Sequence, residues 1–410
     1  MKVQNIKKSY ANNRCRISAE LVWETIDRPQ EVIYFEVDKQ FSSDISCNPD
    51  AFFLATLFPA LYYGEQRYTI DEAISPALYQ GVKDVLGLYR HWYYRDKHEL
   101  ITLEIETKGK KTQDTRNKNA AFFFSGGIDS YSTFVDNRQI YPKEHPGYIK
   151  DGVIVFGLEQ DDPKKFGYVF SMLKEVVSRL EVTLLPVYTN IYLNYREEDA
   201  SNNFYFWIWE FQGAALAAIA HILSNRFSTV SIASSLRVSN ITPYGSHPLL
   251  EPNFSSNNLQ IRHDGLIYSR LEKVKMVTDY LSVPFNLRVC NYFKKYKHNN
   301  LNCGRCEKCI RTMLEFLVLG KLNKMDSFPY DNVTAEMVLK GVKITSDDMI
   351  APYTDLIPPL REIGRKDLAN LLESKLNKYN SIKNKASGSN TFLKNKNFKR
   401  SYNKFKSIFV

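Results

Sequence analysis

The chain lacks an apolar leader. Its first residues, Met1-Lys2-Val3-Gln4-Asn5-Ile6-Lys7-Lys8, contain no secretory h-region, so a cytoplasmic location is expected. It also lacks an uninterrupted apolar run of membrane length. The nearest, Phe204 to Leu223, carries Glu210, Gln212 and His221 and crowds Gly213, Ala214, Ala215, Ala217 and Ala218 into its second half. That pattern suits a buried helix packed close to a sheet, and no membrane partner is expected. Cysteine is scarce, six in 410 residues, and four of the six fall between positions 290 and 309. Such clustering speaks against a disulfide framework. No nucleophile, base and orienting group assemble into a recognisable set, so covalent catalysis by the protein is not expected. Acidic residues are absent from Ser374 to Val410, where ten Lys and Arg occur. The net charge of +10 therefore belongs to the tail, and the remaining chain has as many acids as bases. The tail is either a solvated, weakly ordered end or a handle for nucleic acid, and it is the only segment suited to that partner.

At 410 residues, with 44% hydrophobic and 24% charged side chains, the chain can build a large core and two or three domains. Residues 1–118 read as an α+β accessory domain. Val32 to Val37 is a strand candidate. Asn48 caps an apolar helix from Ala51 to Phe58, and Ser75-Pro76 opens another. This part shows no phosphate loop, metal spacing or triad. The polar stretch Lys108 to Lys118 reads as a linker. From 119 to 330 strands and helices alternate. Strand candidates lie at 120–124, 152–157, 182–187, 229–233 and 284–289, and helices at 128–135, 163–180, 204–225 and 266–281. The pattern predicts an α/β fold, a parallel sheet with helices on both faces. Ligands of such sheets sit beyond the carboxyl ends of the strands. A helical C-terminal segment, 331–373, and the basic tail, 374–410, complete the expected organisation. Nothing argues against a homodimer.

The sheet's first strand runs directly into Ser125-Gly126-Gly127-Ile128-Asp129-Ser130. Strand, glycine turn and helix aim free backbone N–H groups at an anion. Gly126 and Gly127 let the backbone approach a phosphate, and Ser125 and Ser130 add hydroxyls. Asp129 supplies a carboxylate suited to Mg²⁺. No lysine follows the glycines, which excludes the GxxxxGK[ST] loop. The hexapeptide resembles the SGGxDS signature of the PP-loop ATP pyrophosphatases. That resemblance implies an adenine nucleotide alpha hydrolase-like fold, with ATP gripped by its pyrophosphate and an adenylated intermediate. By position, Phe156 to Gln160, with Gly157, is either the adenine edge or a plain turn.

Cys290, Cys303, Cys306 and Cys309, at Cys-x₁₂-Cys-x₂-Cys-x₂-Cys spacing, predict a closed tetrahedral metal site, Zn²⁺ first and an iron–sulfur cluster as the rival. The pattern resembles the zinc site of the 7-cyano-7-deazaguanine synthase family, with an expanded first gap. That family has a lysine-bearing helix, which Ser269 to Val277 resembles, placing Lys273 at the lysine position with the implied role of countering phosphate charge. The likeness covers residues 119 to 319. The N-terminal 118 residues have no counterpart in that family. The segments Gly245 to Pro252 and Arg262 to Gly265 differ from its base-recognition residues, so a different small-molecule or peptide substrate is expected.

Ser246, His247 and Asp264 are the substrate-site candidates, with His247 either orienting substrate or serving as a hydrogen-bonded loop histidine. The resemblance implies an AMP- and pyrophosphate-forming ligase, in which a carboxylate or amide oxygen is adenylated and a nitrogen nucleophile displaces AMP. Two alternatives stand beside it: a PP-loop enzyme of RNA modification or sulfur transfer, and a non-catalytic nucleotide-binding subunit of a modification or defence system.

Overall fold

The computed structural model describes residues 1–94, 103–109, 118–158, 162–192, 205–281, 284–290 and 301–388. One mixed sheet of ten strands organises them, flanked by helices. The chain enters through β1 (Lys2–Ala11), β2 (Arg14–Val22) and β3 (Glu31–Asp38), an antiparallel meander. Asn12 and Asn13, at φ 49° and 60°, make the two-residue β1–β2 turn, a conformation that asparagine tolerates better than most residues. Cys15, Ile17, Ala19 and Leu21 alternate inward along β2 and are buried. Helix α1 (Pro49–Tyr63) starts at Asn48, whose side chain accepts from the Asp50 amide. Strand β4 (Arg67–Ile70), helix α2 (Pro76–Trp92) and strand β5 (Glu104–Thr107) follow.

The second half supplies β6 (Asn119–Phe123), α3 (Ile128–Ile140), β7 (Ile149–Phe156), α4 (Pro163–Arg179) and β8 (Thr183–Thr189). A π-helical turn, Trp207–Phe211, leads into α5 (Gln212–Ile222), then β9 (Phe227–Ala233), β10 (Gln260–Asp264) and α6 (Arg270–Leu281). The strand order is β10-β9-β6-β7-β8-β3-β2-β1-β4-β5. The five strands from β6 to β10 are mutually parallel, and β6 to β9 lie where the sequence predicts strands. The sheet as a whole is mixed, because β3 pairs antiparallel with β8, Phe35 opposite Thr189 and Val37 opposite Val187. The division expected at residue 118 does not divide the sheet.

Successive residues of the parallel strands serve opposite cores. Ala121, Val153 and Leu185 join the core under α1 and α5, while Phe122, Ile154 and Leu184 join the core under α3 and α4. Burial on both faces accounts for the continuous apolar runs that mark these strands in the sequence. Helix α5 is buried along its length. No helix among the described residues is long and apolar enough to cross a membrane.

Two expectations fail here. No strand forms at 284–289. The Leu287 amide donates to Ser327 Oγ at 3.0 Å and the Arg288 amide to the Gly126 carbonyl at 2.8 Å, while those of Val289 and Cys290 go to Asn302 Oδ1 at 2.8 and 3.3 Å. The hydrogen bonds that a strand would give to a neighbour are spent on side chains and the glycine loop. The sheet edge is β10, which pairs with β9 in parallel register. The second concerns the tail alone: α7 (Glu307–Val318), α8 (Ala335–Gly341), α9 (Ile350–Thr354), α10 (Ile357–Glu362) and α11 (Lys366–Gly388) pack together, helical over 331–373 as predicted, but the last helix continues past 373. Helix α11 runs through the first part of the expected basic tail. Lys375 donates to the Leu339 and Val342 carbonyls, and Lys383 pairs with Asp347 at 2.7 Å. Residues 389–410 lie outside the described residues, as do 110–117 of the expected linker.

Candidate functional site

The glycine loop lies where β6 ends and α3 begins. Gly126 has φ 78°, which L side chains rarely adopt, and a Cβ there would come within 2.6 Å of the Leu173 side chain, so the turn favours glycine. Gly127 is the N-cap of α3 and offers no capping side chain, which leaves the first-turn N–H groups open to a ligand. Ser130 Oγ donates to the Gly127 carbonyl at 2.8 Å and braces the turn. Gly157, at φ 95°, packs against the Thr189 carbonyl, which a Cβ would meet at 1.7 Å. It shapes the end of β7 without lining the cavity, whereas its neighbour Leu158 does line it. Glu159 and Gln160 lie outside the described residues.

The loop opens on a cavity of about 470 Å³ beyond the carboxyl ends of β6, β7 and β9. Ser125, Gly127, Asp129 and Ser130 line one end. Val153, Val155, Leu158 and Ile232 line an apolar part, with Trp207, Gln212 and Tyr244 nearby. Charged side chains on the wall are Arg270, Arg288, Lys308 and Arg311 against Asp129 and Asp348. The surplus is positive, as a polyphosphate requires.

Asp129 and Lys273 do come together, but with a third member that the sequence analysis passed over. Arg270 donates from Nη1 to Asp129 Oδ2 at 2.8 Å, and its Nε lies 3.4 Å from Glu315 Oε2. Its Nη2 reaches Thr312 Oγ1 at 3.4 Å. Lys273 Nζ lies 3.4 Å from Asp129 Oδ1 and donates to the Ser234 carbonyl at 2.5 Å. Burial raises the Asp129 carboxyl, but Arg270 and Lys273 outweigh it and hold the group below its ordinary value. Burial lowers the Lys273 ammonium, with Asp129 opposing. Lys273 is 1% exposed and does not line the cavity, so of the two cations on α6 only Arg270 reaches its wall. Arg270 and Lys273 are three residues apart on α6, the helical spacing that could have identified the pair.

Both Asp129 oxygens face cations, and the carboxylate is 27% exposed.

The three substrate candidates do not line the cavity. Ser246 Oγ donates to Glu251 Oε1 at 2.5 Å, and Glu251 Oε2 lies 2.6 Å from His263 Nδ1. Burial raises the Glu251 carboxyl, with His263 opposing. His247 is buried, its Nδ1 accepts from the Leu249 amide at 3.0 Å, and its ring meets Trp92 edge-on at 4.8 Å. Burial pushes its imidazole down to about 4, and the neighbouring His263 adds to the effect. This is the hydrogen-bonded loop histidine. Asp264 pairs with Arg262 at 3.1 Å, and its carbonyl accepts from the Ser234 amide at 2.7 Å, closing β10 onto the end of β9.

The four expected cysteines do assemble. The sulfurs of Cys290, Cys303, Cys306 and Cys309 all lie within 4.8 Å of one another. Cys303 and Cys309 are 3.8 Å apart, Cys290 and Cys306 3.7 Å. A regular tetrahedron with Zn–S bonds of about 2.3 Å has sulfur–sulfur edges of about 3.8 Å. The Arg305 and Cys306 amides point at Cys303 Sγ at 3.4 and 3.3 Å, as donors to a thiolate do. The donor set fits a metal ion and is compatible with Zn²⁺.

No protein-family model, no curated protein and no solved structure matches this chain.

Proposed function

We propose that the chain is an ATP-dependent adenylating ligase of the PP-loop ATP pyrophosphatase kind, similar to 7-cyano-7-deazaguanine synthase and built on an adenine nucleotide alpha hydrolase-like sheet. One observation carries the reading. The uncapped glycine turn opens a helix N-terminus onto a cavity of about 470 Å³ with Arg270 at its side. ATP is a substrate in this reading, its adenine against the apolar lining near Leu158 and its pyrophosphate against the turn.

A carboxylate or amide oxygen of the second substrate attacks the α-phosphorus. A new phosphorus–oxygen bond forms, the bond to the bridging oxygen breaks, and pyrophosphate leaves with the electron pair. The first-turn N–H groups of α3 and the Ser125 hydroxyl donate to its oxygens, and Arg270 balances its charge. Asp129 and Lys273 are positioning residues that hold Arg270 and the turn in place. A nitrogen nucleophile then attacks the activated carbon, loses a proton and displaces AMP. Nothing in this scheme needs a protein nucleophile.

The test is mass spectrometry of the protein incubated with ATP, Mg²⁺ and a metabolite extract. AMP with pyrophosphate is the expected pair. ADP with phosphate overturns the proposal.

A further inference from the structure

We propose that the four-cysteine knuckle is a positioning device for the cavity: it sets helix α7, which carries Lys308 and Arg311 to the cavity wall as pyrophosphate-binding side chains and Glu315 as an anchor of Arg270. The assignment of pyrophosphate rests on the adenylation reading above.

Helix α7 begins inside the knuckle. Cys306 is its N-cap, without a side-chain capping hydrogen bond, and Cys309 sits in its first turn. The Ile310 amide donates to the Cys306 carbonyl at 2.9 Å, so the first turn of the helix is part of the metal loop. Metal coordination at Cys306 and Cys309 therefore fixes both the rotation and the height of the helix. Positions 308, 311, 312 and 315 recur at helical spacing and share one face. Lys308 and Arg311 line the cavity. Thr312 and Glu315, farther along that face, meet Arg270. The other side is core, with Ile310, Met313, Leu314 and Phe316 all buried, so the helix cannot turn without moving its charged face.

Two groups on that face have polar atoms to spare. Glu315 is 1% exposed, and its Oε1 has no hydrogen-bond partner. Lys308 is exposed and has no ion pair among the described residues. Arg311 Nε faces Glu307 at 3.3 Å, and Glu307 also accepts from Tyr353 Oη at 2.8 Å. That second contact ties α9 to α7. Pro352 of α9 and Asp348, just before it, line the cavity too. These lining residues are thus referred to the knuckle. A one-residue rotation of α7, about 100° at 3.6 residues per turn, would carry both cations off the wall.

The test uses the full-length protein loaded with zinc and inorganic pyrophosphate as the probe in titration calorimetry. Lys308→Ala and Arg311→Ala are expected to keep their zinc and weaken pyrophosphate binding about tenfold each, the loss of one charge-assisted contact. Stripping the metal with a chelator is expected to weaken binding at least as much, with recovery on adding zinc. Hydrogen exchange should then rise across 303–318 while β6 to β9 stay protected. If stripping unfolds the chain, Cys306→His keeps a ligand with altered reach and is expected to lower affinity at full zinc content. Undiminished binding by the stripped protein, or by Cys306→His, overturns the coupling. Wild-type affinity in both cation variants overturns their role. Failure of the zinc-loaded wild type to bind pyrophosphate overturns the adenylation reading as well, which separates the two failures.

Discussion

Asp129 is held by two cations while remaining 27% exposed, and this makes it sensitive to loss of charge alone. Asp129→Asn keeps the shape and removes the attraction that holds Arg270 and Lys273. ATP–pyrophosphate exchange is expected to fall by about 10²-fold with the circular dichroism spectrum unchanged. Exchange at the wild-type rate would remove Asp129 from the site. Gly126→Ala puts a side chain at φ 78° and against Leu173. It is expected to cost about 1–3 kcal/mol, read as a lower urea midpoint. At His247, burial brings the folded imidazole down to about 4, below its ordinary 6.5. The unfolded chain therefore takes up the proton first. Stability is complete above about 6.5 and is lost as pH falls toward 4, by about 3 kcal/mol over the window. Urea titrations near pH 7 and near pH 5 should show the drop, and His247→Asn should flatten it. An equal drop in the variant would place the titration elsewhere.

Segment 284–290 and the cysteine knuckle form one element that no periodicity announces. Asn302 is 1% exposed. Its Oδ1 accepts from the Val289 and Cys290 amides, and its Nδ2 donates to the Leu287 and Ser327 carbonyls at 2.8 Å each. Asn302→Ala strands four backbone groups, three of them buried, and is expected to cost about 3 kcal/mol and to weaken Zn²⁺ uptake by the cysteines. Undiminished Zn²⁺ uptake with unchanged stability would show the segment to be held by other contacts. Pro284 to Val289 resembles a strand because Phe285, Leu287 and Val289 alternate with Asn286 and Arg288, a pattern that suits either an extended segment or a strand. Only its hydrogen-bond partners decide. Strand β10 was missed for the opposite reason. Gln260-Ile261-Arg262-His263-Asp264 is polar and looks like a loop, but it lies at a sheet edge where one apolar residue in five suffices. The glycine loop and the cysteines were legible because each chemistry demands a residue type at a fixed spacing. The cations of the cavity were not, because Arg270, Arg288, Lys308 and Arg311 come from three separate segments.

The continuity of the sheet gives the first 118 residues a structural task. Strand β3 covers the edge of β8 that would otherwise be unpaired. Helix α1 packs on α5, and Asn48 donates to the His221 carbonyl and to Ser224. Arg226 joins Asp44 of the N-terminal part to the buried Asp151 of β7, at 3.0 and 2.7 Å. A chain starting at residue 119 would expose the β8 edge and the apolar face of α5. It is expected to be insoluble, or to elute in the void volume on gel filtration. A soluble monomer with a cooperative melt would show that 119–388 fold independently.

The sequence alone determined four of the five parallel strands, the turn between Ser125 and Ser130, and the four clustered cysteines. In each case the physics is local: two-sided burial demands continuous apolar runs, a positive φ demands glycine, and a tetrahedral site demands thiols at short spacing. The tertiary structure decided everything that depends on which segments meet. It joined the N-terminal meander to the sheet and put Arg270 rather than Lys273 at the cavity. It tied both oxygens of Asp129 to cations and kept Ser246, His247 and Asp264 off the cavity wall, each in contacts of its own. Those outcomes follow from long-range packing and charge pairing, of which the chain carries no trace beyond the three-residue spacing of Arg270 and Lys273.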